Sequence, residues 1–272
     1  MIADRIKSLR KKFSKFNIDG YIVPKNDSYF SEFSSPDRLK FISNFNGSAG
    51  LAIILRDRNY LFVDGRYTIQ AKSQANRHFN IVEIPKKLPW EVLKHKTRIG
   101  FNPYCFTSLS LRKNFKNYFI LVPIYNDLVI DKVPKKNTKF YFINDKISGE
   151  NTKSKIKKVL KYIKKDKSDY LFITAPENVA WLLNLRGKDN PHSPIPNCRL
   201  ILKNNGKIYL FTNKSKIQHL LMKCNKMKIE FIDESKIDFF LKNIISKKII
   251  LDRLSCSLAY ENVIKKKNKY IN

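Results

Sequence analysis

Histidine is scarce in this chain, and His78, His95, His192 and His219 are its only four. None sits in an HExxH or comparable spacing, so the sequence marks no local metal site. Cys105, Cys198, Cys224 and Cys256 lie far apart with no CxxC pair, which argues against a zinc site and a disulfide framework and leaves four reduced, buried thiols as the expectation. With only 8 glycines, the one glycine-flanked segment, Gly47-Ser48-Ala49-Gly50, lacks the lysine and spacing of a phosphate loop. It is expected to be a tight turn with close backbone packing. No apolar run approaches the length of a membrane span, and no apolar signal core follows Met1, so a cytoplasmic protein without membrane contact is expected.

Acidic residues are also few: 23 Asp and Glu face 54 Lys and Arg, for a net charge of +31. Such an excess ordinarily suggests a polyanionic partner. Here the lysines are spread over most expected surfaces and no nucleic-acid-binding motif accompanies them, so nucleic acid is set aside as a partner. The 43% apolar composition and 272-residue length suffice for two packed cores.

What is present is a pattern that occurs twice. Phe41-Ile42-Ser43-Asn44-Phe45-Asn46-Gly47 precedes the strand-like runs at residues 51–55 and 60–63; Trp181-Leu182-Leu183-Asn184-Leu185-Arg186-Gly187 precedes those at 199–202 and 207–211. Upstream, Asp19-Gly20-Tyr21-Ile22-Val23-Pro24 is echoed by Ser168-Asp169-Tyr170-Leu171-Phe172-Ile173, each after a basic amphipathic stretch. Each half therefore reads helix, strand, helix, strand, strand, and a repeat this long indicates duplicated domains rather than a solenoid.

Helical spacing of Ile6, Leu9, Phe13 and Phe16, and later of Ile156, Val159, Leu160 and Ile163, predicts an amphipathic helix opening each half. Further strands are expected at 79–84, 99–103, 119–124 and 248–251, and helices at 109–115, 236–244 and 258–265. Trp181 is expected in the core. The segment Pro134-Lys135-Lys136-Asn137 has linker composition, as does Lys265-Lys266-Lys267-Asn268, while Phe140-Tyr141-Phe142-Ile143 is apolar enough to dock.

The order and spacing of Tyr21-Ile22-Val23-Pro24, Asp27, Ser31-Glu32, Arg38, Phe41, Phe45, Gly47-Ser48-Ala49-Gly50, Asp64-Gly65-Arg66-Tyr67 and Gln70-Ala71 resemble the amino-terminal domain of aminopeptidase P. Asn178, the run from Ala180 to Gly187, Asp189 and Pro191-His192-Ser193-Pro194 resemble the middle domain of its three-domain type. The resemblance implies an α/β protein with two tandem, duplicated creatinase amino-terminal-type domains, each a mixed sheet flanked by helices, over residues 1–132 and 133–272. In that family, removal of a residue preceding proline belongs to a carboxy-terminal metallopeptidase domain, whose two divalent ions, such as manganese, sit on aspartates, a histidine and glutamates. That domain is absent from this sequence. The implied function is that of a truncated or split, non-catalytic part, with no cofactor and no catalytic or metal-binding residue of its own. Its expected partners are a separately encoded metallopeptidase domain or further copies of itself. An inactive peptide- or protein-binding module, or the remnant of a decaying gene, are the alternatives.

Five residues are candidate contacts for a peptide or a catalytic domain. Arg66 and Tyr67 either reach outward or form a strand-to-helix turn in which Asp64 caps the following helix. Arg186, Asp189 and His192 lie in a proline-rich loop, where recognition and structural roles are equally open. Cys198 near His192 raises the idea of a thiol nucleophile, but no orienting group accompanies the pair.

Overall fold

The computed structural model describes residues 1–31, 35–116, 118–130 and 138–272. The linker-like Pro134-Lys135-Lys136-Asn137 and Glu32 lie outside the described residues. The chain divides into two compact units, residues 1–134 and 135–272.

In the first unit the helix Ile2–Lys11 buries Ile6 and Leu9, and a separate short turn, Ser14–Phe16, ends at Asn17 in the left-handed region. Six strands follow: β1 (Gly20–Pro24), β2 (Leu51–Leu55), β3 (Asn59–Asp64), β4 (Asn80–Ile84), β5 (Arg98–Phe101) and β6 (Ile120–Pro123). They form one sheet in the order β4-β3-β2-β1-β5-β6. The central β1 is buried throughout, as its unbroken apolar run requires of a strand covered on both faces. It pairs antiparallel with β2 and parallel with β5. Tyr21, Val23, Ala52, Ile54, Leu61 and Val63 pack with Ile6, Leu9, Phe13, Leu39, Ile42 and Ala71 of the helical layer. The alternate positions Ile22, Ile53 and Phe62 are buried on the opposite face.

The second unit contains a two-stranded ribbon of β7 (Tyr141–Phe142) and β9 (Leu185–Arg186) beside a six-stranded sheet of β8 (Tyr170–Ile173), β10 (Arg199–Lys203), β11 (Ile208–Thr212), β12 (Ile229–Asp233), β13 (Lys248–Leu251) and β14 (Lys269–Ile271). The sheet order is β12-β11-β10-β8-β13-β14. Every neighbour relation repeats that of the first sheet: antiparallel for β8 with β10 and β10 with β11, parallel for the other three pairs. Ile163, Val179, Leu182, Leu183, Leu200, Leu202 and Leu210 build one core layer. On the other face Phe172 meets Tyr260 at 5.7 Å and Phe211 meets Phe240 at 5.2 Å, which seats the helices Leu258–Lys265 and Ile237–Lys242 there. Both units are therefore mixed sheets flanked by helices.

The duplication reaches single hydrogen bonds. Asp19 donates its N–H to Arg98 O (2.8 Å) while its carboxylate accepts Arg98 N–H (3.0 Å); Asp169 makes the same two bonds with Lys248, at 2.8 and 3.0 Å. Ile18 N–H to Phe13 O and Ser168 N–H to Ile163 O match at 3.1 Å.

Two expectations need correction. Residues 265–268 are not a linker. The helix Leu258–Lys265 runs to Lys265, Asn268 bonds Ile244 O and Lys247 N–H, and β14 follows as an edge strand parallel to β13. Trp181 is not core: it is 51% exposed, because the helix Pro176–Leu183 buries Val179, Ala180, Leu182 and Leu183 instead. The strand β12 and the helices at 214–226 carry no strong local signal, since lysines interrupt their apolar residues. Among the described residues no helix is long and apolar enough to cross a membrane.

Asn44 and Asn184 end equivalent helices in the left-handed conformation, at φ 66° and 53°. Asn44 is exposed. Asn184 is buried, and its amide accepts from Lys155 Nζ (2.7 Å) and donates to Glu150 O (2.9 Å) and Asp145 Oδ1 (3.1 Å). Lys155 Nζ also donates to Trp181 O at 2.8 Å. Asn184→Ala is expected to cost about 2–4 kcal/mol, by leaving the buried ammonium under-satisfied and a Cβ-bearing residue at positive φ without its local bonds. Asn44→Gly should change stability by less than about 0.5 kcal/mol. Denaturant unfolding of the two variants measures the contrast.

Candidate functional site

The turn after β3 is built by Asp64. Its carboxylate accepts the backbone N–H of Arg66 (3.0 Å) together with Arg66 Nε (3.1 Å) and Nη2 (2.8 Å). The Arg66 guanidinium holds the Asp64 carboxyl below its ordinary range through these bonds. Asp64 thus caps the turn Gly65–Tyr67 that leads into the helix Thr68–Ala75. Arg66 is 73% exposed, with its guanidinium 5.3 Å from the Tyr67 ring. Tyr67 faces inward: its hydroxyl meets Ser48 Oγ at 2.8 Å and its ring meets Phe45 edge-on at 5.9 Å.

That contact explains the glycine-containing segment. A Cβ on Gly47 would sit 2.3 Å from the Phe45 ring and 2.9 Å from Tyr67, and one on Gly50 would lie 3.0 Å from Leu39. Close packing, as expected, dictates the glycines. Asn46 ties the segment to the helix Thr68–Ala75, donating its N–H to Gln74 Oε1 (3.1 Å) and accepting from Gln74 Nε2 (2.9 Å).

Beyond β1 the first unit carries ion pairs that no local sequence signal assembles. Lys25 pairs with Asp37 and Arg38 with Asp127, all four partly buried. Asp127 also accepts Val129 N–H (2.9 Å) and Ile130 N–H (3.1 Å), and Asp27 accepts Tyr29 N–H (2.8 Å). Burial, with Asp127 nearby, pushes the Tyr21 hydroxyl well above its ordinary value. The partners come from distant parts of the unit and meet only at the carboxyl end of β1.

In the second unit Arg186 does not lie in the proline-rich loop but ends β9, opposite Tyr141, and the loop that follows carries Asp189 and His192 in different surroundings. Arg186 Nη1 donates to Ala180 O and Leu185 O, both at 2.9 Å, securing the end of the helix Pro176–Leu183. Asp189 is 3% exposed. It pairs with Lys216 Nζ (2.8 Å), accepts Asn197 N–H (2.6 Å) and accepts from Thr138 Oγ1. Gly187 lets the loop close, because a Cβ there would stand 2.9 Å from both the Phe140 ring and Pro196 Cα. His192 stands exposed at the loop tip. Asp189 therefore holds the loop from beneath, while His192 and, in the first unit, Arg66 present the most accessible side chains of the five.

The thiol-nucleophile idea fails. Cys198 is fully buried, and burial together with the Asp189 charge pushes its thiol far above the ordinary range. All four cysteines are free and buried, as expected. Among the described residues no three His, Cys, Asp or Glu side chains come together as a set that could hold a metal ion. His219 Nε2 contacts Phe140 O at 2.9 Å and His95 packs edge-on against Tyr118, so neither joins a donor cluster. Among the described residues no donor set fits a dinuclear metal pair.

Both halves match one family description, the creatinase/prolidase N-terminal domain, over residues 5–129 and 131–272. The chain belongs to the creatinase/prolidase N-terminal domain family. It is 34% identical over 209 residues to a protein named "Probable Xaa-Pro aminopeptidase P" in Coprinopsis cinerea, covering 70% of this chain and 34% of the relative. It is 31% identical over 242 residues to Aminopeptidase P2 of Arabidopsis thaliana, covering 80% and 33%. The chain spans about a third of the length of these curated relatives. Its fold matches the crystal structure of X-prolyl aminopeptidase from Caenorhabditis elegans with a TM-score of 0.89 at 21% identity, over 99% of this chain and 50% of that one. The latter is described as a cytosolic enzyme with a di-nuclear active site.

Asp189→Ala is expected to destabilise the second unit by about 3–5 kcal/mol, since it strands the Lys216 ammonium in a buried site. His192→Ala should stay within about 0.5 kcal/mol, as exposed loop substitutions do. Thermal unfolding followed by circular dichroism distinguishes the two.

Proposed function

We propose that residues 1–272 act as the non-catalytic amino-terminal part of an Xaa-Pro aminopeptidase-like protein and do not cleave peptides by themselves. The observation that carries this reading is the pair of family matches, which together run through nearly the whole chain, while relatives named as aminopeptidases extend far beyond the matched region. The absence of a metal-holding donor set among the described residues supports it. Hydrolysis in this reading belongs to a metallopeptidase domain outside these residues, which also holds the divalent ions, and the two units act as its scaffold. Exposed residues such as Arg66 and His192 are then the groups available to a peptide or to that domain, whereas Tyr67 and Asp189 set the shape of their own segments and Arg186 secures a helix end. A cytoplasmic setting belongs to the same proposal, supported by the description of the C. elegans protein as cytosolic.

The test is to assay the purified full chain on an Xaa-Pro peptide with manganese added, alone and then with an aminopeptidase P metallopeptidase domain supplied as a separate polypeptide. The chain alone should release no amino-terminal residue above buffer, and it should bind the added domain and raise that domain's kcat/KM. Hydrolysis that co-elutes with the chain alone and disappears on chelation would overturn the proposal, as would failure to bind or stimulate the added domain.

A further inference from the structure

The two units differ at one place where their topology makes them directly comparable. The offset that carries Phe13 and Ile18 onto Ile163 and Ser168 carries Ile6 onto Ile156, Leu9 onto Val159 and Arg10 onto Leu160. Strand register likewise places Ile208 where the first unit has Asn59: Asn59 lies opposite Ile54 and Ile208 opposite Leu202, at the same step of each sheet.

In the first unit these positions form a polar seal. Arg10 donates from Nε to Leu55 O (2.7 Å) and from Nη2 to Asn59 Oδ1 (3.0 Å), and Asn59 Nδ2 donates to His78 O (2.8 Å). The bonds stitch the opening helix to the β2-β3 turn and to the chain entering β4, and Ile6 and Leu9 beneath them are buried. In the second unit the seal is replaced by Leu160 and Ile208, which can form no such bonds. A groove of about 1250 Å³ lies there, between the helix Thr152–Lys165 and the chain entering β12. Its floor is Ile156, Leu160, Ile208 and Met227, and of these Ile156, Leu160 and Met227 remain partly exposed.

Lysines line both rims. Lys157, Lys161 and Lys164 rise from the helix, and Lys226 and Lys228 stand opposite. The single carboxylate in the lining, Glu230, pairs with Lys207 at 2.8 Å. An apolar floor between two cationic rims is complementary to a segment with one apolar face and acidic flanks. The helical wall has 14 residues and is about 21 Å long, enough to seat about four turns of a second helix. The lining contains no aromatic residue and no arginine, so it offers neither stacking platforms nor forked phosphate donors for nucleic acid. The apolar residues are also recessed between the lysines, whereas a membrane surface is met by apolar residues that project.

We infer that this groove of the second unit is a docking site for an acidic, amphipathic helical segment of a partner protein. The inference is independent of the Xaa-Pro reading, since it uses neither the candidate loop residues nor any catalytic step.

The test uses the full chain and a fluorescein-labelled synthetic peptide of about 14 residues with leucine on one helical face and glutamate on the other, read by fluorescence anisotropy. Binding should saturate, weaken as sodium chloride is raised, and protect the helix Thr152–Lys165 and residues 225–230 from hydrogen exchange. The combined variant Lys157→Glu, Lys161→Glu, Lys164→Glu changes only exposed side chains and should weaken binding about tenfold or more with its melting temperature little altered. Leu160→Arg, which installs the first unit's residue, should act in the same direction. If it does not fold, the lysine variant alone decides. Equal affinity for the lysine variant, protection elsewhere on the chain, or binding to phosphatidylserine vesicles or duplex DNA with none to the peptide would each overturn the inference.

Discussion

Each unit depends on how its central strand is held. β1 and β8 have an antiparallel neighbour on one side and a parallel one on the other, and the parallel partner arrives only after a long excursion through other strands and helices. Closing so distant a contact costs chain entropy, which local propensity cannot offset. At the foot of each strand an aspartate fixes the arrangement, its N–H donating to the parallel partner and its carboxylate accepting that partner's N–H. With the register thus set, alternation assigns each apolar residue of the strand to one helical layer or the other.

On this common frame the two units have diverged in their polar chemistry. The first places ion pairs beyond β1 and closes its helix-sheet edge with Arg10 and Asn59. The second buries the Lys155 ammonium against Asn184 and Trp181 O, ties its proline-rich loop down through Asp189 and Lys216, and leaves the equivalent edge apolar and open. A buried charge is tolerated only with well-placed partners, so these networks rigidify the loops around them. The apolar edge carries no such internal obligation, which is why it is available to another molecule.

Much of the fold is legible in local sequence. The amphipathic spacing of Ile6, Leu9 and Phe13, the unbroken run Tyr21-Ile22-Val23 and the cap at Asp64 each reflect interactions among residues close in the chain. Trp181 misleads because a large apolar side chain at a helical position says nothing of which way the helix turns, and its neighbours Val179, Ala180, Leu182 and Leu183 fill the buried face. The lysine-rich 265–268 stretch misleads because it is a helix end and turn whose lysines face solvent, while the bonds of Asn268 to Lys247 N–H and Ile244 O that hold it in place come from residues more than twenty positions away.

The sequence by itself determined the duplication, the α/β class and the family, because a repeated order of apolar runs, caps and glycines is a one-dimensional pattern. Only the tertiary structure decided that Asp189 works inside its loop, that Arg186 secures a helix end, that Cys198 is inert, and that Leu160 and Ile208 open a groove where Arg10 and Asn59 close one. Those outcomes rest on pairings between residues far apart in the chain. A side chain's charge, burial and reach acquire meaning only when the neighbours that surround it are fixed.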